Sequence, residues 1–292
     1  MKVTSIRSDA DITAMKQLVQ SLGELASVVD FEEVIQLESV RANTRLWSES
    51  DSLIAFVYVD DFNNLWFEVD PDFASDKLAN EFIAWGVECI RQRNAFTGEQ
   101  NTLDICVQSK HKDRVKALEI NGFIQLNTRS LNYSRSLAEP VELFPLPPGF
   151  TWRCVNGESE VQALVDLHQA AFGTDNMTVE GRLTIMRSPD YASDLDLVVV
   201  APDGSLVAFC VCNLQRGNEK GIAYTEPIGV HPRYHRFGLG KAILSIALRL
   251  LQAKGCETVG LGTSSENTAM QRLSETLGFE LVSENIWFAK NI

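Results

Sequence analysis

The sequence predicts an α/β (α+β) chain that uses one fold twice in tandem, and three observations carry that expectation. The order of strand-like and helix-like segments, βααββαβαβ, runs through the first half and returns in the second. Val69-Asp70-Pro71 precedes Gly122-Phe123 by about fifty residues, as Val230-His231-Pro232 precedes Gly278-Phe279, which is the mark of an internal duplication. Between the halves, residues 136–149 hold four prolines in fourteen positions. The chain therefore divides into a first copy at 1–135, a linker at 136–149 and a second copy at 150–292.

The first copy opens with a strand at Lys2–Ile6 and a helix from Asp11 onward, whose Ile12, Met15, Leu18, Val19 and Leu22 recur at helical spacing. A second helical stretch lies near Phe31–Ser39. Strands at Ser52–Val59 and Leu65–Val69 are joined by the turn Asp60-Asp61-Phe62-Asn63-Asn64. A helix follows from about Ser75 to Arg93, then a strand at Asn101–Val107, a short helix at His111–Ile120, and a final strand pair ending near Tyr133.

Proline at the density of the linker favours an extended, semi-rigid connection; a ligand for another protein's groove is the alternative reading. The second copy begins with a strand at Thr151–Val155, continues through helices at Glu158–Phe172 and Thr178–Met186, and forms a hairpin of Leu195–Ala201 and Leu206–Asn213 across Pro202-Asp203-Gly204. A strand at Tyr224–Val230, a glycine-containing loop, a long apolar helix from Ala242, a strand at Thr258–Thr263, a helix at Asn267–Leu277 and a closing pair of strands through Trp287–Lys290 complete it. Trp152, Trp287, Phe172 and Phe209 read as core, with Trp287 and Phe172 as candidate walls of a pocket.

The totals bound the function. The 292 residues are 45% hydrophobic and 22% charged, ordinary for a soluble globular chain. No run approaches the roughly 20 apolar residues of a membrane span, and the start lacks a signal-peptide core, so a cytoplasmic location is expected. A net charge of −13 opposes nonspecific binding to nucleic acid or anionic membrane and weakly favours a cationic acceptor. Cys89, Cys106, Cys154, Cys210, Cys212 and Cys256 read as reduced, buried thiols rather than a metal site. No metal is expected.

Chemistry concentrates between Tyr224 and Leu244. A strand that opens through glycines into a helix is an anion site, because unpaired N–H groups of the first turn converge and the helix dipole adds positive charge there. The 39 acids in 292 residues would place about four in the 30 positions from Pro227 to Cys256, yet none occurs, and Arg233, Arg236, Lys241, Arg249 and Lys254 do. A bound polyanion follows. His231 and His235 read as turn residues and phosphate neighbours, since Pro232 denies them the helix that i, i+4 metal ligation needs.

His235-Arg236-Phe237-Gly238-Leu239-Gly240 resembles the Q/R-x-x-G-x-G/A loop of the GNAT N-acetyltransferase superfamily, with His at its first position. Asn267-Thr268-Ala269-Met270-Gln271-Arg272-Leu273-Ser274-Glu275-Thr276-Leu277-Gly278-Phe279 is similar to that family's second motif, N-x-x-A-x-x-L-Y-x-x-x-G-F. The resemblance implies two tandem GNAT folds, each a mixed, mostly antiparallel sheet flanked by helices. It implies acetyl-CoA as cosubstrate, its pantetheine arm lying where the central strand and its neighbour splay apart. The first copy lacks the glycine loop and carries Asp70, Asp72 and Asp76 there instead; three carboxylates repel a pyrophosphate, so only the second copy is expected to bind it. Asp72 and Asp76 read as helix-start residues. The layout with one weakened domain resembles mycothiol synthase, although no residue identifies that acceptor.

Acyl transfer to an amine needs a base, a donor for the developing oxyanion and a route for the leaving thiolate. Glu226 is the candidate base, with an ordinary strand-end carboxylate as the alternative. By strand alternation it shares a face with Tyr224, Ile228 and Val230, and Tyr224 either orients the acceptor or packs. The resemblance implies Val230 N–H as oxyanion donor, Ile228, Gly229 and Val230 along the pantetheine, and residues His235 to Lys241 around the pyrophosphate. The family's usual tyrosine acid is Ser274 here, a far poorer acid than a phenol. Asn267 either positions the cofactor or caps its helix. The expected activity is N-acetylation of a small-molecule amine by the second domain of a monomer or homodimer. The alternatives are a non-catalytic acyl-CoA-binding or interaction module and a tandem-domain aminoacyl transferase, which acidic net charge disfavours.

Overall fold

The computed structural model describes residues 1–22, 31, 34–188, 191–214 and 221–292. They form two compact units, Met1–Ser130 with Glu284–Ile292, and Leu131–Ser283. The first contains β1 (Lys2–Thr4), α1 (Asp9–Ser21), α2 (Glu38–Ala42), β2 (Thr44–Glu49), β3 (Ser52–Val59), β4 (Leu65–Val69), α3 (Asp76–Thr97), β5 (Thr102–Gln108) and α4 (Lys112–Ile120). Strands β1 to β4 form an antiparallel sheet in that order. α3 buries Leu78, Phe82, Ile83 and Ile90 in a cluster with Val57, Leu103 and Ile105, while α1 packs Met15 and Val19 against Phe56 and Tyr58.

Three features of this unit differ from the sequence reading. β2 was not expected, because a register shift at Trp47/Ser48 breaks its two-residue alternation. Part of the helical stretch expected near Phe31–Ser39 lies outside the described residues, and the helix described beside it is α2. The chain's closing strand, Glu280–Asn291, pairs antiparallel with β5 from Asn285–Gln108 to Asn291–Thr102, placing Phe288 in the first unit's core.

β6 (Ile124–Ser136) leads out of the first unit. The second unit contains β7 (Thr151–Cys154), α5 (Val161–Phe172), α6 (Val179–Arg187), β8 (Asp196–Val200), β9 (Leu206–Leu214), β10 (Ile222–Val230), α7 (Leu239–Ala253), β11 (Thr258–Ser264), α8 (Thr268–Thr276) and the start of the closing strand, β12 (Glu280–Asn291). Its strands run β11-β10-β9-β8-β7. β10 and β11 are parallel and the other pairs in this series antiparallel. α7 buries Ile243, Leu244, Ala247 and Leu251 on one face of the sheet, with Leu197, Cys210 and Leu261. α5 covers the other with Leu164 and Leu167 against Val198 and Phe209. Trp152 lies on the terminal strand β7 and is 41% exposed, so it is not the core residue the sequence suggested.

The recurring landmarks are recurring devices. Asp70 Oδ1 accepts the Asp72 N–H at 3.0 Å and His231 Nδ1 accepts the Arg233 N–H at 3.2 Å, each opening a single 3₁₀ turn behind its proline. Gly122 and Gly278 adopt φ of +79° and +76°. The next residue's N–H returns to a helical carbonyl, Phe123 to Leu118 at 3.1 Å and Phe279 to Ser274 at 3.0 Å. This is the Schellman end of a helix, in which glycine takes the left-handed position and the following apolar residue packs inward. Phe123 and Phe279 are both buried.

Candidate functional site

β10 and β11 are paired from Ile222–Thr258 to Tyr224–Gly260 and no further, while β10 continues beside β9 to Val230–Ala208. A wedge opens between them. The register of β10 on β9 slips between Thr225 and Ile228, where Pro227 offers no N–H to the ladder. Past the slip, the His231 N–H donates to the Val207 carbonyl at 2.9 Å. In an antiparallel ladder alternate residues turn to opposite neighbours, so the backbone groups of Ile228 and Val230 face the wedge.

The slip also corrects the expected side-chain phase. Thr225 stands opposite Cys212 and Ile228 opposite Cys210, so Ile228 and Val230 share the face of Thr225 and pack with the α7 cluster. Tyr224 and Gly229 are on the other face. A one-residue bulge inverts every side chain beyond it, which no alternation count reveals. Glu226 sits within the slip. Its side chain is exposed and its Oε1 accepts the N–H of Gly262 on β11, spanning the wedge.

At one end of the wedge lies the loop before α7. Arg236 and Gly238 both adopt positive φ, +67° and +79°. Gly238 is the residue before α7, which has no side-chain cap and no acid in its first turn. Its leading N–H groups and dipole therefore remain available to an anion. Glycine at 238 is required by φ, since a Cβ there would meet nothing within 4 Å. At Gly240 a Cβ would reach Val230 Cγ2 at 3.4 Å, so this residue lines the junction of loop and wedge.

Several expected residues are otherwise engaged. The His235 Nε2–H donates to the Val230 carbonyl at 3.1 Å, tying the loop to β10. Lys241 Nζ lies 3.5 Å from the ring centre of Phe144, a cation–π contact. Phe237 is 51% exposed and its ring stands beside those of Tyr234 and Phe150. Leu239 is buried. Asn267 Oδ1 accepts the Met270 N–H at 3.1 Å and is the cap of α8. Ser274 is fully buried and its hydroxyl donates to the Met270 carbonyl at 2.9 Å.

The sequence reading missed His168. Its ring on α5 lies 4.7 Å from that of Phe172 and 5.5 Å from that of Phe209. A Cβ on Gly229 would come within 2.5 Å of the Phe209 ring, so this cluster is seated directly on β10, on the face of Tyr224. Burial, and secondarily the charge of Arg182, lowers the His168 pKa. The signal was available only as helical spacing, His168 and Phe172 being four apart. Phe172 is 47% exposed, while Trp287 belongs to the first unit, where its Nε1–H donates to Ser130 at 2.8 Å.

Beneath α6 is a buried ion pair of Arg182 with Asp196, and Tyr191 donates its hydroxyl to the same Asp196 oxygen at 2.6 Å. Burial and this carboxylate raise the Tyr191 pKa. The pair fixes α6 to the start of β8.

Residues 161–279 match the model of the Acetyltransferase (GNAT) family. The chain is 30% identical over 168 residues to a mycothiol acetyltransferase of Salinispora arenicola, covering 54% of this chain and 53% of that protein. It is 27% identical over 104 residues to an aminoglycoside N(6')-acetyltransferase type 1 of Salmonella typhimurium, covering 34% of this chain and 72% of that one. The chain thus spans about half the length of the mycothiol relative. A GCN5-related N-acetyltransferase from Sphaerobacter thermophilus has the same fold, with a TM-score of 0.78 at 20% identity over 99% of this chain and 95% of that one. So does a tandem GNAT protein from the clavulanic acid biosynthesis pathway, with 0.74 at 14% over 99% and 98%. The fold is a tandem GNAT fold, and its residues 161–279 are similar in sequence to the GNAT acetyltransferase family.

Proposed function

We propose that the second unit is an acetyl-CoA-dependent N-acetyltransferase for a small-molecule amine. One observation carries this: the parallel pair β10/β11 parts after Tyr224–Gly260, with an uncapped helix at one end of the opening and a carboxylate within it. The names of the mycothiol and aminoglycoside relatives support an amine-bearing acceptor.

Acetyl-CoA supplies an activated acyl group. The backbone of Gly238 to Lys241 would hold its pyrophosphate, and the wedge-facing groups of Ile228 and Val230 its amide-bearing arm, the Val230 N–H serving the oxygen that becomes negative. Glu226 acts as base for the acceptor amine, directly or through water, once its hydrogen bond to Gly262 is exchanged. Tyr224 and the His168–Phe172–Phe209 cluster lie on one face of β10 and form a wall for the acceptor. Ser274 has no part in proton transfer, and the thiolate departs to solvent. In the first unit, Ser75 Oγ accepts the Leu78 N–H at 3.3 Å and Asp76 occupies the first turn of α3. That end is already neutralised, so this unit serves as a buttress without a pyrophosphate site.

The test is calorimetric titration of the full chain with acetyl-CoA and with CoA, followed by an amine panel. One site per chain and acetylation of an amine are expected. Absence of binding would remove the reading; binding without turnover on any amine would favour an acyl-CoA-binding module.

A further inference from the structure

The first unit has its own wedge. β4 and β5 meet at a single parallel rung, Asn64 with Asp104, and then diverge. Between them is a cavity of about 300 Å³, walled by Phe67 and Val69 of β4, Ile105 and Val107 of β5, and Phe82 and Leu118 of α3 and α4. It is the counterpart of the β10/β11 opening, with a different chemistry at its entrance.

We propose that this cavity binds a small apolar molecule bearing a protonated amine. A cavity of about 150 Å³ holds benzene, so twice that volume fits a two-ring or comparable aliphatic body, and the walls are aromatic and branched apolar side chains. Ser75, Asp76, Asp113 and Arg114 also line it. Asp76 and Asp113 are exposed carboxylates. Arg114 is the one cation among these lining residues. It is drawn to Glu68 at 3.7 Å and lies 5.1 Å from the Phe67 ring centre, so its charge is balanced at the cavity's edge. The helix end that could attract an anion is occupied by the Ser75 hydroxyl. The entrance therefore repels carboxylates and phosphates and attracts an ammonium group, while the walls take the hydrocarbon.

The test uses three probes of one shape on the full chain: 1-naphthylmethylamine, 1-methylnaphthalene and 1-naphthoate. At low salt, the amine should bind about tenfold more tightly than the carboxylate, because the two entrance carboxylates attract the one and repel the other. Ala79→Phe, on α3 and facing the cavity, should remove amine binding while the chain retains its thermal transition. The double change Asp76→Asn, Asp113→Asn should bring amine and carboxylate to within about twofold, and it carries the test should Ala79→Phe not fold. Amine binding should persist in Glu226→Gln, which separates this site from the wedge of the second unit. Equal affinity for amine and carboxylate in the unaltered chain, undiminished binding in a folded Ala79→Phe, or loss of binding in Glu226→Gln would each overturn the proposal.

Discussion

The ring of Tyr224 lies against Gly260, its directly paired neighbour on β11, so closely that a Cβ at 260 would fall 2.5 Å from Cε1. This is the last rung before the two strands separate. The aromatic ring leans over a strand that has no side chain to obstruct it, and the wedge begins immediately beyond.

Replacing Gly260 with Val should therefore displace the Tyr224 ring. Overpacking of this kind costs about 1–3 kcal/mol, visible as a lowered midpoint in urea. The same variant should weaken acceptor binding more than CoA binding, because Tyr224 and the wedge-facing backbone of Ile228 and Val230 serve different parts of the site. An unchanged midpoint would show that the ring moves away freely.

Glu226→Gln should lower the turnover number by about 10²- to 10⁴-fold, the usual contribution of a positioned base. Calorimetry should find CoA affinity nearly unchanged. Retention of turnover would reduce Glu226 to a bridge between β10 and β11.

Gly238→Val should weaken CoA binding through backbone conformation rather than through bulk. The position has φ of +79° and open space around it, and a left-handed residue with a Cβ costs about 1–2 kcal/mol, so the loop should relax away from its anion-binding shape. Gly238→Asn, which tolerates that conformation better, should retain more affinity than the Val variant. Equal losses in both would point to side-chain obstruction instead.

Arg182→Met should strand a buried carboxylate at Asp196 and destabilise the chain by about 3–5 kcal/mol. The pair Arg182→Met, Asp196→Leu should recover much of that loss. Denaturant unfolding of the single and double variants measures the difference; a double variant as unstable as the single would show that Tyr191 and the remaining packing depend on the carboxylate itself.

His168 should make folding pH-dependent. Its folded pKa lies below the ordinary value, so below about 6.5 the unfolded chain binds the proton more readily. The stability contributed by the neutral ring is present above that pH and is lost as pH falls toward the folded pKa. Thermal unfolding between pH 7.5 and 5.5 should show a shallower decline in His168→Phe than in the unaltered chain.

The sequence by itself determined the repeat, because its signals are local. Asp70-Pro71 and His231-Pro232 open the same turns through a side chain and a fixed φ, and Gly122-Phe123 and Gly278-Phe279 end helices through a left-handed glycine. It likewise determined the loop that opens α7, which depends on a left-handed glycine at 238 and a helix start without nearby acids. What only the tertiary structure decided involves partners distant in sequence. The bulge around Pro227 reverses the faces of Ile228 and Val230 because β9 fixes their register. Ser274 is turned inward by the packing of α8, and His168 meets Phe209 only when α5 lies on the sheet. The closing strand joins β5 because strand pairing is governed by an available edge and apolar burial at Phe288, neither of which is encoded by proximity along the chain.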